Sequence, residues 1–407
     1  MTVYICATLA SCLLAWFGSR RERKWPWYVA AALPLTIVSA IRWDVGSDFY
    51  FTYFPSFRAM ECSDLGGTKD LVREIMGPLF ERLKGGPIHS VPALYKNYIH
   101  VLAKQEWGFR QLMAFMSWSG LGFRGLVVFT SLLVGACVFT AIFRQSRNPV
   151  LAIFLYVATS NYFLGLNIIR QYVAIGFALV AVEFIVRQKP VPFLACIAAG
   201  MLFHGSVVLI LPCYLLGRFA LGPAIGAALV VLALAGSFVA EPAALWTLPK
   251  IGFGRYCRYF GPRSPWAKDG FEWFFFAINL CFMAFGAWYW KRVAPRSRYF
   301  VVWYGMTVIG TVFLALSGAL PLMKRINFYF AAPQFLLLPE VLASESRPTL
   351  RRVLTYLIIL AFSLEATVAV WVYNKNEVLP YGVRCRPNHQ TPRVRFAKRP
   401  FAWRLHD

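Results

Sequence analysis

The sequence predicts an all-α, polytopic integral membrane protein with roughly 10 to 12 transmembrane or re-entrant helices, on two observations. Of its 407 residues, 58% are hydrophobic and 17% aromatic while only 15% are charged, a balance that a water-soluble globule would have to display as large apolar patches. Apolar runs of about 17 to 25 residues also recur along the whole chain, and about 20 such residues cross the roughly 30 Å hydrocarbon layer as a helix. The formal net charge of +24 falls mostly in short clusters at the ends of these runs, as topology signals do, so no nucleic-acid partner is expected. The nine cysteines lack CxxC or Cys/His ligand spacing, and most lie in apolar runs, where Cys behaves as a small hydrophobe.

The elements follow in order. The opening MTVYICATLASCLLAWFGS has no basic residues before its apolar run, and RRERK comes after it, which predicts a retained first span with the N-terminus outside. Spans over residues 3–19, 25–41, 125–143, 149–165, 168–186, 221–240, 271–290, 299–318, 326–343 and 353–373 put six basic clusters on the cytoplasmic side: 20–24, 144–147, 187–189, Arg218, 291–298 and 347–352. This threading requires residues 190–217 to return to the side they left. A helical hairpin turning at His204, Gly205 and Ser206 satisfies it. Arms of about 13 residues rise only about 20 Å, so the hairpin tip is sunk below the outer surface, where protein or a wet cavity must surround it. The expected organisation is one membrane domain, residues 1–373, with external segments at about 42–123 and 241–270, and a basic tail, 374–407. The tail comes out external, against the positive-inside rule. The second half of the first external segment, EWGFRQLMAFMSWSG, reads as an amphipathic or re-entrant surface helix.

Several polar residues stand out against this apolar background. Arg170 and Gln171 open the span LNIIRQYVA near the outer face. A guanidinium is a planar fork of donors, charged at any working pH and matched to phosphate oxygens; the alternative is an interfacial arginine that snorkels to lipid phosphate. Arg325, in LMKRINFYF, holds the equivalent place in a later span, and two such arginines would clamp a diphosphate. His204, in MLFHGSVVL, suits general-base work on a sugar hydroxyl, or else is a buried imidazole bonded to a carbonyl. RWDVGSDFYFTY brings Arg42, Asp44, Asp48, Tyr50 and Tyr53 to the outer interface, as sugar-binding acids and rings or as membrane anchors. Glu106, in QEWGF, is a further external acid, and Arg255, Arg258 and Arg263 are weaker candidates. Glu183 and Arg187, spaced i, i+4, read as a structural ion pair. There is no GxSxG, P-loop, HExxH or DxD motif, so neither metal nor cofactor is expected.

Taken in order, RWDVGSDFYFTY, EWGF, LNIIRQYVA, MLFHGSVVL and KRINFYF resemble the EpsG-like branch of the Wzy-type polysaccharide polymerases, over roughly residues 1 to 343. The resemblance falls on Arg42, Gly46, Asp48, Tyr53, Glu106, Gly108, Phe109, Arg170, Gln171, His204 and Arg325. The chain departs from the family pattern in having Glu106-Trp107-Gly108 where Glu-Pro-Gly is common, Gly205 after the histidine, and a longer stretch between Tyr53 and Glu106. It implies a multi-pass protein of the bacterial cytoplasmic membrane that joins polyprenyl-diphosphate-linked oligosaccharides on its external side into exopolysaccharide, capsule or O-antigen chains, with a chain-length regulator as a further partner. It also implies metal-independent glycosyl transfer in which His204, Arg170, Arg325 and Glu106 are catalytic and Arg42, Asp48, Tyr53 and Gln171 bind substrate. The alternatives are a flippase for lipid-linked glycans, a polysaccharide ligase and an acyltransferase.

Overall fold

The computed structural model describes residues 1–54, 56–57, 105–250, 252, 254–260 and 271–383. These residues are helical apart from turns and one isolated bridge between Trp43 and Gly382. The first half of the bundle comprises α1 (Thr2–Ser19), α2 (Trp25–Ile41), a π-helical turn (Phe49–Tyr53), α3 (Trp107–Trp118), α4 (Gly122–Gln145), α5 (Pro149–Ala158), α6 (Asn161–Asn167) and α7 (Ile169–Val186). Then come α8 (Pro190–Met201), a 3-10 helix (Gly205–Gly217), α9 (Pro223–Lys250), α10 (Trp273–Val293), α11 (Arg298–Ala315), α12 (Met323–Ala331), α13 (Gln334–Ala343) and α14 (Pro348–Thr367). Among the described residues, eight helical stretches are long and apolar enough to cross a bilayer, nine if the bent α5–α6 pair counts as one span.

Burial sorts these helices. In α1 the buried side chains Tyr4, Ala7, Ser11, Ala15 and Gly18 recur every three to four residues, while Ile5, Leu9 and Leu13 point outward. That is one packed stripe and one lipid-facing stripe. The buried stripe uses small residues so that backbones can approach: a Cβ on Gly18 would come within 2.6 Å of the Trp27 Cβ, and one on Gly135 of α4 within 2.4 Å of the Thr36 Oγ1 in α2. Among the spans, α7, α11 and the α12–α13 pair are the most enclosed, whereas α9 and α14 have the fewest buried residues. The site therefore hangs on the central helices, with the peripheral ones facing lipid.

One end of the bundle is basic and built of caps and ion pairs. Asn148 accepts a hydrogen bond from the Leu151 N–H at 3.1 Å with Pro149 at the first helical position, and Ser297 accepts from the Phe300 N–H at 3.2 Å. Arg187 pairs with Glu183 as expected, and Tyr299 and Arg144 reach the same carboxylate. Arg147 pairs with Glu340 at 3.2 Å, and Arg292 and Arg347 both pair with the buried Glu345 at 3.2 Å. The hairpin is present too. The Arg218 Nε donates to the Gln188 Oε1 at 2.8 Å, so the chain comes back at Arg218 to the end it left at Gln188.

Four expected spans differ in detail. The span 149–165 is two helices bent by 53°, with Ser160 in the left-handed region at φ 61°. The span 326–343 starts at Met323 and is interrupted at Pro333, which has no N–H to continue the ladder. The span 221–240 continues as helix to Lys250, into the segment expected to be external, and the last starts at Pro348, not at residue 353. The motifs CSDLGGTKD and KGGPIHSVP, the side chains of Tyr50, Arg255 and Arg258, Arg263, and the basic tail from residue 384 lie outside the described residues.

Candidate active site

The end opposite the caps gathers polar side chains from five separated segments. Arg170 is in the first turn of α7, where backbone N–H groups lack intrahelical acceptors. The Tyr53 hydroxyl accepts the Arg170 N–H at 3.3 Å, and the Arg170 guanidinium is paired with Glu106, directly before α3. The other carboxylate oxygen of Glu106 accepts the Gly205 N–H at 3.3 Å, tying the hairpin tip to the same pair. The Arg170 Nε is buried with no hydrogen-bond partner. Gln171 turns the other way, its Nε2 donating to the Arg325 carbonyl at 2.7 Å, so the adjacent residues of α7 brace the two arginines from one rigid helix.

Close approach at two glycines sets this geometry. Gly108 lets α3 touch the hairpin, with the Phe109 N–H donating to the Leu202 carbonyl at 3.0 Å. A Cβ at Gly108 would lie 2.5 Å from the Leu202 Cβ and 2.7 Å from its carbonyl oxygen. Gly108→Ala is therefore expected to push Glu106 off the tip, destabilising the protein by about 1–3 kcal/mol and lowering activity; an unchanged melting temperature in detergent together with unchanged activity would count against this reading. Gly46, at φ 95°, occupies the left-handed region with its Cα against Leu166 and Asn167. The turn it permits lets the Asp48 N–H and the Ser47 hydroxyl both donate to the Asn167 Oδ1, at 2.9 and 3.2 Å. A satellite core including Phe49, Tyr53, Phe57, Phe109, Met113, Phe123 and Ile169 holds the π-turn and α3 on α4 and α7.

Asp48 feels both cations. Burial raises its carboxyl above the ordinary carboxylate value, Arg325 and Arg170 pull it back, and Glu377 adds to the rise. His204 is lowered to about 4, mainly by burial; Glu106 opposes the drop, and Arg170 and Arg325 add to it. Its Nδ1 accepts the Ser206 N–H at 3.4 Å and lies 2.8 Å from the Ser206 hydroxyl, which is 3.1 Å from the Tyr329 hydroxyl. A backbone N–H can only donate, so Nδ1 is the acceptor and the single proton of the neutral ring sits on Nε2. Next to Arg325 lies a cavity of about 280 Å³ whose wall includes Asn167, Glu241, Tyr259, Glu272, Lys324 and Asn376, with Lys324 paired to Glu272 at 2.9 Å.

The structure thus brings Arg170, Glu106, His204, Asp48 and Arg325 together, and places three expected substrate ligands differently. Arg42 is 1% exposed, its guanidinium donating to Ser39 and Ser131 inside the bundle, so it braces α2 against α4 and does not face the cavity. Tyr53 is 2% exposed beneath Arg170, and Gln171 is spent on the Arg325 carbonyl. Two residues that sequence reasoning passed over matter here, Asn167 and Tyr329, as does Ser206, which it read only as part of the hairpin turn. Asn167 ends a short helix that begins with Asn161, and Tyr329 lies in one that already carries Lys324, Arg325 and Asn327, so neither gives a local signal of its own. The segment 374–383 also belongs to this end, since the Gly46 N–H donates to the Glu377 carbonyl at 3.0 Å, the Trp43 N–H to Gly382 at 2.8 Å and the Tyr4 hydroxyl to Val378 at 3.0 Å.

No curated protein and no solved structure matches this sequence. A family model described as the EpsG family matches residues 25–383, well past Ala343 and through the segment that closes the site. With a match over most of its length, the chain belongs to the EpsG family.

Proposed function

We propose that this protein is a glycosyltransferase that joins polyprenyl-diphosphate-linked oligosaccharide repeat units into a surface polysaccharide. The reaction takes place at the external face of the cytoplasmic membrane. Family membership supports the reaction class, and the concentration of Arg and Lys at the other end of the bundle supports the external side. The observation that carries the reading is Arg170. One side of its guanidinium is spent on Glu106 while its Nε stays buried and unpartnered, within the electrostatic reach that Asp48 and His204 share with Arg325. A buried donor fork left incomplete in a water-poor site is suited to a diphosphate.

In this reading a sugar hydroxyl of one lipid-linked saccharide loses its proton to Asp48, and its oxygen bonds to the anomeric carbon of the donor sugar. The bond from that carbon to the donor's diphosphate breaks, and the diphosphate leaves with the electron pair. Arg170 and Arg325 hold the charge it gains. Glu106 keeps Arg170 and the hairpin tip in register. The base is assigned to Asp48 and not to His204 because the free ring nitrogen of His204 carries a proton. His204 then donates from Nε2 to the diphosphate or to a sugar oxygen. His204→Gln, which keeps a neutral donor, is expected to retain activity within about tenfold, and His204→Ala to lose about 100-fold; equal loss in both would restore the base role.

The reading is tested in a strain lacking the gene. Single repeat units are expected to accumulate on the outer leaflet and to be polymerised again when the wild-type gene is returned. Their absence from the outer leaflet in the deletion strain would favour a flippase.

A further inference from the structure

Beside the polar cavity lies a second one of about 250 Å³, whose wall surface is mainly apolar. The two share Leu164, Lys324, Phe328 and Asn376, so they meet at the level of Arg325 and its neighbour. The helix positions give the second cavity its depth. α5 enters from the basic end and has 10 residues, a rise of about 15 Å, before the bend at Thr159 and Ser160. α12 starts at the site end and has 9 residues before its interruption. Both breaks therefore fall near mid-bilayer, and Thr159, Ser160, Ala331 and Gln334 all line this cavity. It runs from the charged site down to the middle of the membrane.

Its chemistry changes along that line. At the outer mouth stand Lys324, Asn376 and, in the last turn of α14, Glu365. Below them α10 presents Phe274, Phe275, Ile278 and Phe282, and Phe362 of α14 meets Phe282 at a ring separation of 6.0 Å. Three of the deep polar side chains are bonded to one another, Asn279 Nδ2 donating to Asn327 Oδ1 and Gln334 Nε2 to Asn279 Oδ1, each at 2.9 Å, while the Ser160 hydroxyl is buried with no partner. A hydrocarbon occupant therefore strips no hydrogen bond from that trio. The cavity lies against α10, which is a third buried, and α14, which has no buried residue.

Resting on the functional reading above, we propose that this cavity receives the first isoprene units of the donor's polyprenyl chain. The chain enters from the bilayer between α10 and α14, with its diphosphate meeting Arg325 and Arg170 at the outer mouth. The occupant is an apolar chain ending in a diphosphate because the apolar cavity opens at Lys324 directly onto a polar one that carries Arg325 in its wall. A free nucleotide-sugar would leave the apolar arm empty, and a phospholipid would carry one phosphate to a site with two arginines. The cavity holds only the proximal units, and the rest of the chain lies in the bilayer.

The test uses the full-length protein in lipid nanodiscs and a long-chain polyprenyl diphosphate without sugar. A photoreactive p-benzoylphenylalanine at Ile278 is expected to capture that lipid, and excess polyprenyl diphosphate, but not excess phospholipid, is expected to suppress the capture. Ala331→Trp, which fills the cavity, is expected to weaken polyprenyl diphosphate binding at least tenfold while leaving binding of inorganic pyrophosphate unchanged. Ile278→Trp serves in its place where Ala331→Trp does not fold. If both filling variants bind the lipid normally while Arg325→Ala does not, the cavity assignment is wrong and the diphosphate site stands. If Arg325→Ala, Arg170→Lys and the filling variants all bind normally, the functional reading falls as well. Capture of phospholipid alone at Ile278 also overturns the proposal.

Discussion

Arg170→Lys is expected to reduce polymerisation by about 100-fold at normal protein level, equivalent to about 2.7 kcal/mol of lost transition-state stabilisation. The guanidinium works in two directions at once, with one terminal nitrogen on Glu106 and the Nε still to be matched. An ammonium ion is a point charge: it can satisfy Glu106 or a diphosphate oxygen, but it has no planar fork to hold both. Lysine is the informative replacement because it keeps the positive charge beside Glu106. Alanine would leave that carboxylate without its cation and mix loss of stability with loss of chemistry. Polymer yield and length in a complemented deletion strain, normalised to protein level, is the measurement. Full polymerisation by Arg170→Lys would remove the bidentate role.

Asp48→Asn is expected to have a comparable or larger effect, about 10² to 10⁴ in rate, with a characteristic pH signature. The substitution is nearly isosteric and leaves the Asp48 N–H bond to Asn167 in place, so the turn at Gly46 survives. The groups that bear on Asp48 are Arg325 and Arg170, which favour its charge, and Glu377 and its own burial, which oppose it; burial is the largest effect. Its pKa is therefore raised. A base must be deprotonated to act, so the rate falls as pH drops through that raised value, and the acid limb of kcat/KM lies above the ordinary aspartate range near 4. Asp48→Asn should remove that limb along with the activity. Glu106→Gln should keep the limb, because Glu106 positions Arg170 and the hairpin tip. A limb that disappears in Glu106→Gln and persists in Asp48→Asn would move the base to Glu106.

The membrane architecture was legible because bilayer solvation acts locally. Every span must bury its own backbone polar groups, so apolar length and flanking charge can be read off a linear string. The hairpin was legible for the same reason: only a return at residue 204 lets both Lys189 and Arg218 lie at one end, and Gln188 and Arg218 indeed meet there. The breaks at Ser160 and Pro333 were harder to see. Serine is unremarkable in an apolar run, and proline is common in membrane helices.

The residue types of the site were legible as well, since arginine, glutamate and histidine are costly beside hydrocarbon and stand out. Which of them face the cleft was not. Arg42 looked like a ligand from its place after a span, yet it is turned inward onto Ser39 and Ser131, one on its own helix and the other 92 positions from that serine in the chain. The protonation of His204 was likewise beyond the sequence, because it depends on the direction of one backbone N–H two residues later.

The sequence alone determined that this chain is an α-helical membrane protein, which end of the bundle is basic, and that a small set of polar residues clusters at the opposite end. Each of these follows from the cost of placing a single residue in lipid or water. The tertiary structure alone decided the pairings: Arg170 with Glu106, Gln171 with the Arg325 carbonyl, Asn167 under Asp48, and residues 374–383 folded back on Gly46. These are contacts between groups 64 to more than 300 positions apart. Their existence depends on how closely helices can approach at Gly46 and Gly108, a property of packed shapes that no local stretch of residues encodes.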